Sequence, residues 1–100
     1  MIVDFEATVY RWVARTDAAW FFLDLPPDLS EQIHQMQDPA LRRGFGAVRV
    51  RASVGTSTWT TSMFPSGGTG PYALPLKRSV RDREGLREGD TADVHLEVGV

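Results

Sequence analysis

The strongest constraint on this chain is a period-two alternation that recurs in short segments and is interrupted each time by glycine or proline. In "VDFEATVYRW", Val3, Phe5, Ala7 and Val9 fall on one side and Asp4, Glu6, Thr8 and Tyr10 on the other. That is the pattern of a strand with one face in a core and one in water. "AVRVRASV" repeats it over residues 47–54, with Val48, Val50, Ala52 and Val54 inward and Arg49, Arg51 and Ser53 outward. "DTADVHLEV" does so again, with Ala92, Val94, Leu96 and Val98 inward. Gly55 and Thr56 predict a tight turn that makes "STWTTSMF", residues 57–64, the hairpin partner of the second segment. The turn "RTDAA" leads into a more fully apolar strand, "WFFLDL", over residues 20–25. A further short strand is predicted over residues 72–76, at an edge or rim because Pro75 cannot donate to a ladder.

Two segments carry helical spacing instead. "PPDLSEQIHQMQD" places Leu29, Ile33 and Met36 on one face, with Asp28 and Glu31 in the first turn, where the helix dipole favours acids. "LKRSVRDREGL" predicts a two-turn helix ended by Gly85 in the left-handed conformation, with Leu86 folding back over it. "DPALRRGFG" between the halves reads as an irregular link.

With 100 residues the chain has material for one core, so residues 1–100 are expected to form a single domain. About six or seven short alternating strands, two short helices and no repeats predict a mainly β fold, a small barrel rather than a layered α/β sheet. There is no room for serial βαβ crossovers. No apolar run reaches the roughly 20 residues of a membrane span, so no membrane role is expected. The opening "MIVDFEATVY" lacks the basic start of a signal peptide. The absence of cysteine fits a reducing cytoplasm, which is the expected location.

Charge is placed unevenly around a net of −2. Residues 1–40 hold seven acids against two arginines, and residues 41–100 hold nine Lys/Arg against six acids. Complementary faces, within the domain or between subunits, are the ordinary reason for such a split.

No catalytic motif is present. His34 and His95 stand on polar faces, outside any metal-ligand spacing, and read as solvent-facing. No metal site and no cofactor are therefore expected. "SGGTG", residues 66–70, lacks the Lys-Ser/Thr ending of a phosphate loop and reads as a hairpin tip. One feature departs from habit: Lys77 and Arg78 open the second helix, where the dipole disfavours cations, and Arg81 shares the face of Arg78 one turn on. Either these residues still belong to the strand end and reach into solvent, or they form an anion-accepting site. Among the aromatics Trp12, Trp20, Trp59, Phe45, Phe64 and Tyr72, Trp59 shares parity with Met63 and is expected in the core. Phe64 and Tyr72 flank the glycine turn, where they would line a cleft mouth.

The leading expectation is thus a non-catalytic binding or accessory module for a small anion or a protein partner. Its candidate site is Phe64 and Tyr72 for stacking, with Lys77, Arg78 and Arg81 for anion pairing. One alternative is a homodimeric nucleic-acid binder using Arg42, Arg43, Arg49 and Arg51. Another is a hydrolase whose carboxylates meet in a cleft.

Three stretches carry a family resemblance: "FEATVYRW", "GFGAVRVRASVGTSTWTTSMFP" and "YALPLKRSVRDREGLREGDTADVHLEV". Together, from about Asp4 to Val98, they resemble the bacterial domain-of-unknown-function family numbered nineteen-oh-five. The resemblance implies a double-split β-barrel, related in architecture to AbrB-like and MraZ-like barrels. Some members carry a second YdeI/OmpD-associated, bacteriocin-protection domain, which would here be missing or separately encoded. AbrB-like relatives bind DNA as dimers with basic faces, but a shared fold does not carry function. The resemblance brings no catalytic motif, cofactor or substrate. "GLREGDTADVHLEV" resembles the glycine-aspartate turn before the last strand of such barrels. Gly89 supplies a positive φ there, and Asp90 binds nearby backbone N–H groups, a folding device rather than a catalytic one.

Overall fold

A computed structural model describes residues 1–15, 18–36, 46–66 and 70–99. Arg42, Arg43 and Phe45, the centre of the first turn and the tip of the glycine turn lie outside the described residues. Six strands, β1 (Ile2–Arg15), β2 (Ala18–Asp24), β3 (Val48–Val54), β4 (Ser57–Pro65), β5 (Tyr72–Pro75) and β6 (Thr91–Val98), form a closed barrel in the order β1-β2-β5-β4-β3-β6. Helices α1 (Pro27–Met36) and α2 (Arg78–Glu84) complete the described elements. The fold is mainly β with two short helices, as the alternation predicts.

Every strand has two neighbours, and β1 and β4 turn the corners of the barrel by giving successive parts of their length to different partners. β1 runs for 14 residues, longer than the alternation alone implies. Its first half pairs with β6, from Ile2↔Glu97 to Thr8↔Thr91, and its second half with β2, where Val9↔Leu23 and Trp12↔Trp20 face each other. β4 likewise pairs along most of its length with β3 and at its end with β5, through Phe64↔Ala73 and Pro65↔Tyr72. All ladders are antiparallel, so the alternation turns one residue set inward on every strand. Val9, Leu23, Val50, Met63, Leu74, Val94 and Leu96 meet there, essentially inaccessible.

The helices close the barrel ends. α1 packs through Ser30 and Ile33, and the Ser30 hydroxyl accepts the Tyr72 N–H at 3.1 Å. Its buried face differs from the spacing prediction: Ile33 is inside, Leu29 is half-buried, and Met36 is 57% exposed. At the other end Val80 anchors α2. Gly85 (φ 65°) ends that helix as expected, and the Leu86 N–H returns to the Arg81 carbonyl at 2.9 Å. The last turn also holds as read: Gly89 has φ 90°, and Asp90 Oδ2 accepts the Arg87 N–H at 2.8 Å.

β5 corrects the edge reading, because it is flanked by β2 and β4. Pro75 is tolerated for a specific reason. Leu76 N–H donates to the Phe21 carbonyl, and Phe22 stands opposite Pro75, so the polar edge of Pro75 faces β4 rather than β2. The ladder to β4 covers only Tyr72 and Ala73. The Pro75 carbonyl takes the Trp59 indole N–H at 3.3 Å.

Candidate functional site

The outward-facing residues divide the barrel into two unlike sides. On β6, β3 and the first half of β1 they are charged: Asp4, Glu6, Arg49, Arg51, Asp93 and Glu97. On β2, β5, the end of β4 and the second half of β1 they are aromatic and apolar, except for Asp24 at the end of β2. Trp12 faces Trp20, Tyr10 faces Phe22 and then Pro75, and Ala73 faces Phe64.

At the upper margin of the aromatic side the chain leaves β5 and enters α2. Leu76 is buried, which brings the backbone against β2. Lys77 stays extended (φ −73°, ψ 157°) as the residue before the helix, and no side chain caps it. Lys77 and Arg78 therefore do open a helix rather than end the strand, and the first turn of α2 has no acid. Arg81 then turns back. Its Nε donates to the Leu76 carbonyl at 3.3 Å, and its guanidinium carbon sits 3.8 Å from the Phe21 ring centroid, within cation–π range. Trp20, Thr60, Thr61, Pro75, Lys77, Arg78 and Arg81 line a cleft of about 290 Å³ beside them, with no carboxylate among the described lining residues. Arg78 pairs only loosely with Asp82, at 3.6 Å across two highly exposed side chains, a contact of little energetic weight. Arg81 pairs with no carboxylate among the described residues.

Of the five residues expected to form a site, the structure brings together Lys77, Arg78 and Arg81 and separates the other two from them. Tyr72 is buried, not at a cleft mouth: parity points it into the barrel, and its hydroxyl is hydrogen-bonded with His34 Nδ1 at 3.2 Å. His34 is accordingly half-buried, its ring 4.6 Å from that of Tyr72, and not solvent-facing. Phe64 is 43% exposed but lies with Tyr10, Trp12 and Phe22, in a separate hollow. Arg49 and Arg51 point outward from β3, where Arg51 donates to Glu97 Oε2 at 3.0 Å within the mixed-charge side. Carboxylates do gather on β1 and β6, where Asp4, Glu6 and Asp93 border a shallow hollow and Asp4 Oδ1 is bonded to His95 Nδ1 at 2.7 Å. Among the described residues, no group of three His, Cys, Asp or Glu is placed to hold a metal ion.

The ionisations of Tyr10 and Glu84 are displaced by their surroundings. Burial, reinforced by donation to Asp24 Oδ1 at 2.8 Å, raises the Tyr10 hydroxyl far above its usual range and keeps it protonated. Hydrogen bonds, chiefly from the Ser57 hydroxyl, lower the Glu84 carboxyl.

Sequence reasoning missed Trp20 and Phe21 as walls around the cations. The available signal was the β1–β2 hairpin, which brings residue 20 to the level of the β5–α2 junction once Phe22 is set opposite Pro75. Tyr10 and Trp12, on the polar parity of β1, were a second sign that this side is not simply solvated.

No helix among the described residues is long and apolar enough to cross a membrane. No curated protein matches the chain. Residues 5–96 match the family described as "Domain of unknown function (DUF1905)", a range that takes in β2 to β5, both helices and most of β1 and β6. The chain belongs to that family.

Proposed function

We propose that this domain is a non-catalytic binding module whose cleft beside the β5–α2 junction accepts a small anionic group, carried on a ligand with a flat face. The observation that carries the reading is the state of Arg81. Its guanidinium is fixed by the Phe21 ring and the Leu76 carbonyl, and no carboxylate among the described residues neutralises it. A pre-positioned guanidinium gives up little rotamer entropy on pairing with an oxyanion. Lys77 and Arg78 add charge at the rim, and Trp20 offers an exposed ring for stacking. Arg81 also borders the opposite flank of Phe21, where it shares a hollow with Arg11, Arg87, Asp82 and Glu88. That flank is less suited to an anion because of the two carboxylates, neither of which is within ion-pair distance of Arg81. Asp4, Glu6 and Asp93 stand on the other side of the barrel, so the cleft offers charge and hydroxyls rather than a pair of carboxylates.

Titration of inorganic phosphate, followed by amide and guanidinium NMR shifts, tests the reading. Saturable shifts at Lys77, Arg78 and the Arg81 Nε–H are expected, and Arg81→Ala should abolish them while the remaining spectrum stays folded. Identical shifts in the variant, or none in the wild type, would overturn it.

A further inference from the structure

The aromatic side of the barrel is a surface with no partner inside the described chain, since α1 and α2 close the barrel ends and leave it uncovered. Trp12 and Trp20 are 53% and 56% exposed and stand directly opposite each other, and Phe64 is 43% exposed. Tyr10 and Phe22 link them, with ring centroids 5.8 Å apart, and Trp20 lies nearly parallel to Phe22 at 6.4 Å. Three rings roughly half exposed and two largely covered offer on the order of 400 Å² of mostly apolar surface. That is about half of the roughly 800 Å² that each partner contributes to a standard interface. Tyr10, Phe22 and Trp20 are held by stacking and by the Tyr10–Asp24 hydrogen bond, so these three side chains have little freedom left to lose on docking.

We propose that this side docks on the same side of a second copy of the chain, across a twofold axis near Phe22. Charge selects that occupant. Asp24 lies two residues beyond Phe22 in one direction, exposed, with Oδ1 held by Tyr10 and no hydrogen bond on Oδ2 among the described residues. Lys77 and Arg78 lie in the other direction, beside Trp20 and Pro75. A strip with an acid at one end, cations at the other and rings between is complementary to itself when rotated by half a turn, as an isologous interface requires. A parallel arrangement would set cations against cations. The inference goes beyond the anion cleft and does not rest on it, since Arg81 takes no part in the dimer. The two share Trp20, Lys77 and Arg78, so a ligand in the cleft and a second copy compete for that margin.

Sedimentation equilibrium of the whole chain from about 1 μM to about 1 mM is the test. A reversible dimer is expected, weakened at least tenfold by Trp12→Lys and, should that variant fold poorly, by the strand-compatible Trp12→Thr. Asp24→Arg and Arg78→Asp should each weaken it, and the two together should restore it to within about threefold. A monomer at about 1 mM overturns the proposal. So does a dimer indifferent to both Trp12 variants, or one that the charge exchange fails to restore. Phosphate titration of the monomeric Trp12→Thr variant keeps the two readings separate, since loss of the dimer leaves Arg81 in place.

Discussion

The Ser57 hydroxyl donates to Glu84 Oε2 at 2.6 Å, tying the start of β4 to the last turn of α2. Thr56 donates to the same oxygen at 3.3 Å. These bonds favour the charged carboxylate, so the folded chain holds Glu84 below the ordinary glutamate range. The sign follows from linkage: a lowered folded pKa gives stability that is present above the unfolded value and disappears as pH falls through the folded one. Comparing the wild type with Glu84→Gln by chemical denaturation should therefore show a wild-type advantage that is constant above about pH 5 and shrinks below about pH 4. An advantage that does not change with pH would contradict the assignment.

Gly55 makes room for that same carboxylate. Its φ is +58°, and a Cβ built there would collide with the Glu84 side chain. Gly55→Ala should cost about 1–2 kcal/mol from the left-handed backbone alone. It should also displace Glu84, so that the pH-dependent difference above is lost in the variant. Denaturation midpoints at pH 7 and pH 3.5 check both effects.

Ser30 is a buried hydroxyl whose only role in the described structure is backbone support, accepting the Tyr72 N–H at 3.1 Å. Ser30→Ala removes that buried hydrogen bond and should cost about 1 kcal/mol. Amide exchange should locate the loss, with Tyr72 exposed to exchange first and the β3–β6 ladder unaffected.

Tyr72→Phe removes the bond to His34 but keeps the ring in the core. A loss of about 1 kcal/mol is expected, with phosphate shifts at Lys77 and Arg78 unchanged because Tyr72 does not line their cleft. Arg81→Lys keeps the charge but loses the planar fork over Phe21, and should weaken phosphate binding about tenfold.

How much was legible in the sequence depended on whether a residue's position followed from its own strand. Parity placed Val48, Val50, Ala52 and Val54 inside and Arg49 and Arg51 outside, and strand turns made of single glycines placed the β3–β4 hairpin and the end of α2. Tyr72 had the correct parity for burial but was read by its neighbours, the glycine turn, instead. Pro75 was read as an edge residue because the rule for proline concerns ladder donors, and which neighbour a residue's N–H faces depends on register. Trp20 and Phe21 belong to the cation cleft through the barrel's strand order, in which β2 pairs with β5 across about fifty residues of chain. No local pattern carries that adjacency.

The pairing of β1 with β6 has a bearing on how the chain is made. Ile2 faces Glu97, and the Val98 N–H donates to the Met1 carbonyl at 2.8 Å. Within the barrel, the first half of β1 is made before β6, so its ladder to that strand can form only once Thr91–Val98 has been made. Until then Val3, Phe5 and Ala7 have no wall to pack against, while the β1–β2 and β3–β4 hairpins can already close. Native contacts that span the whole chain are slow to form. Until β6 arrives, the first half of β1 is an unpaired strand edge, the kind of surface from which misassembly starts.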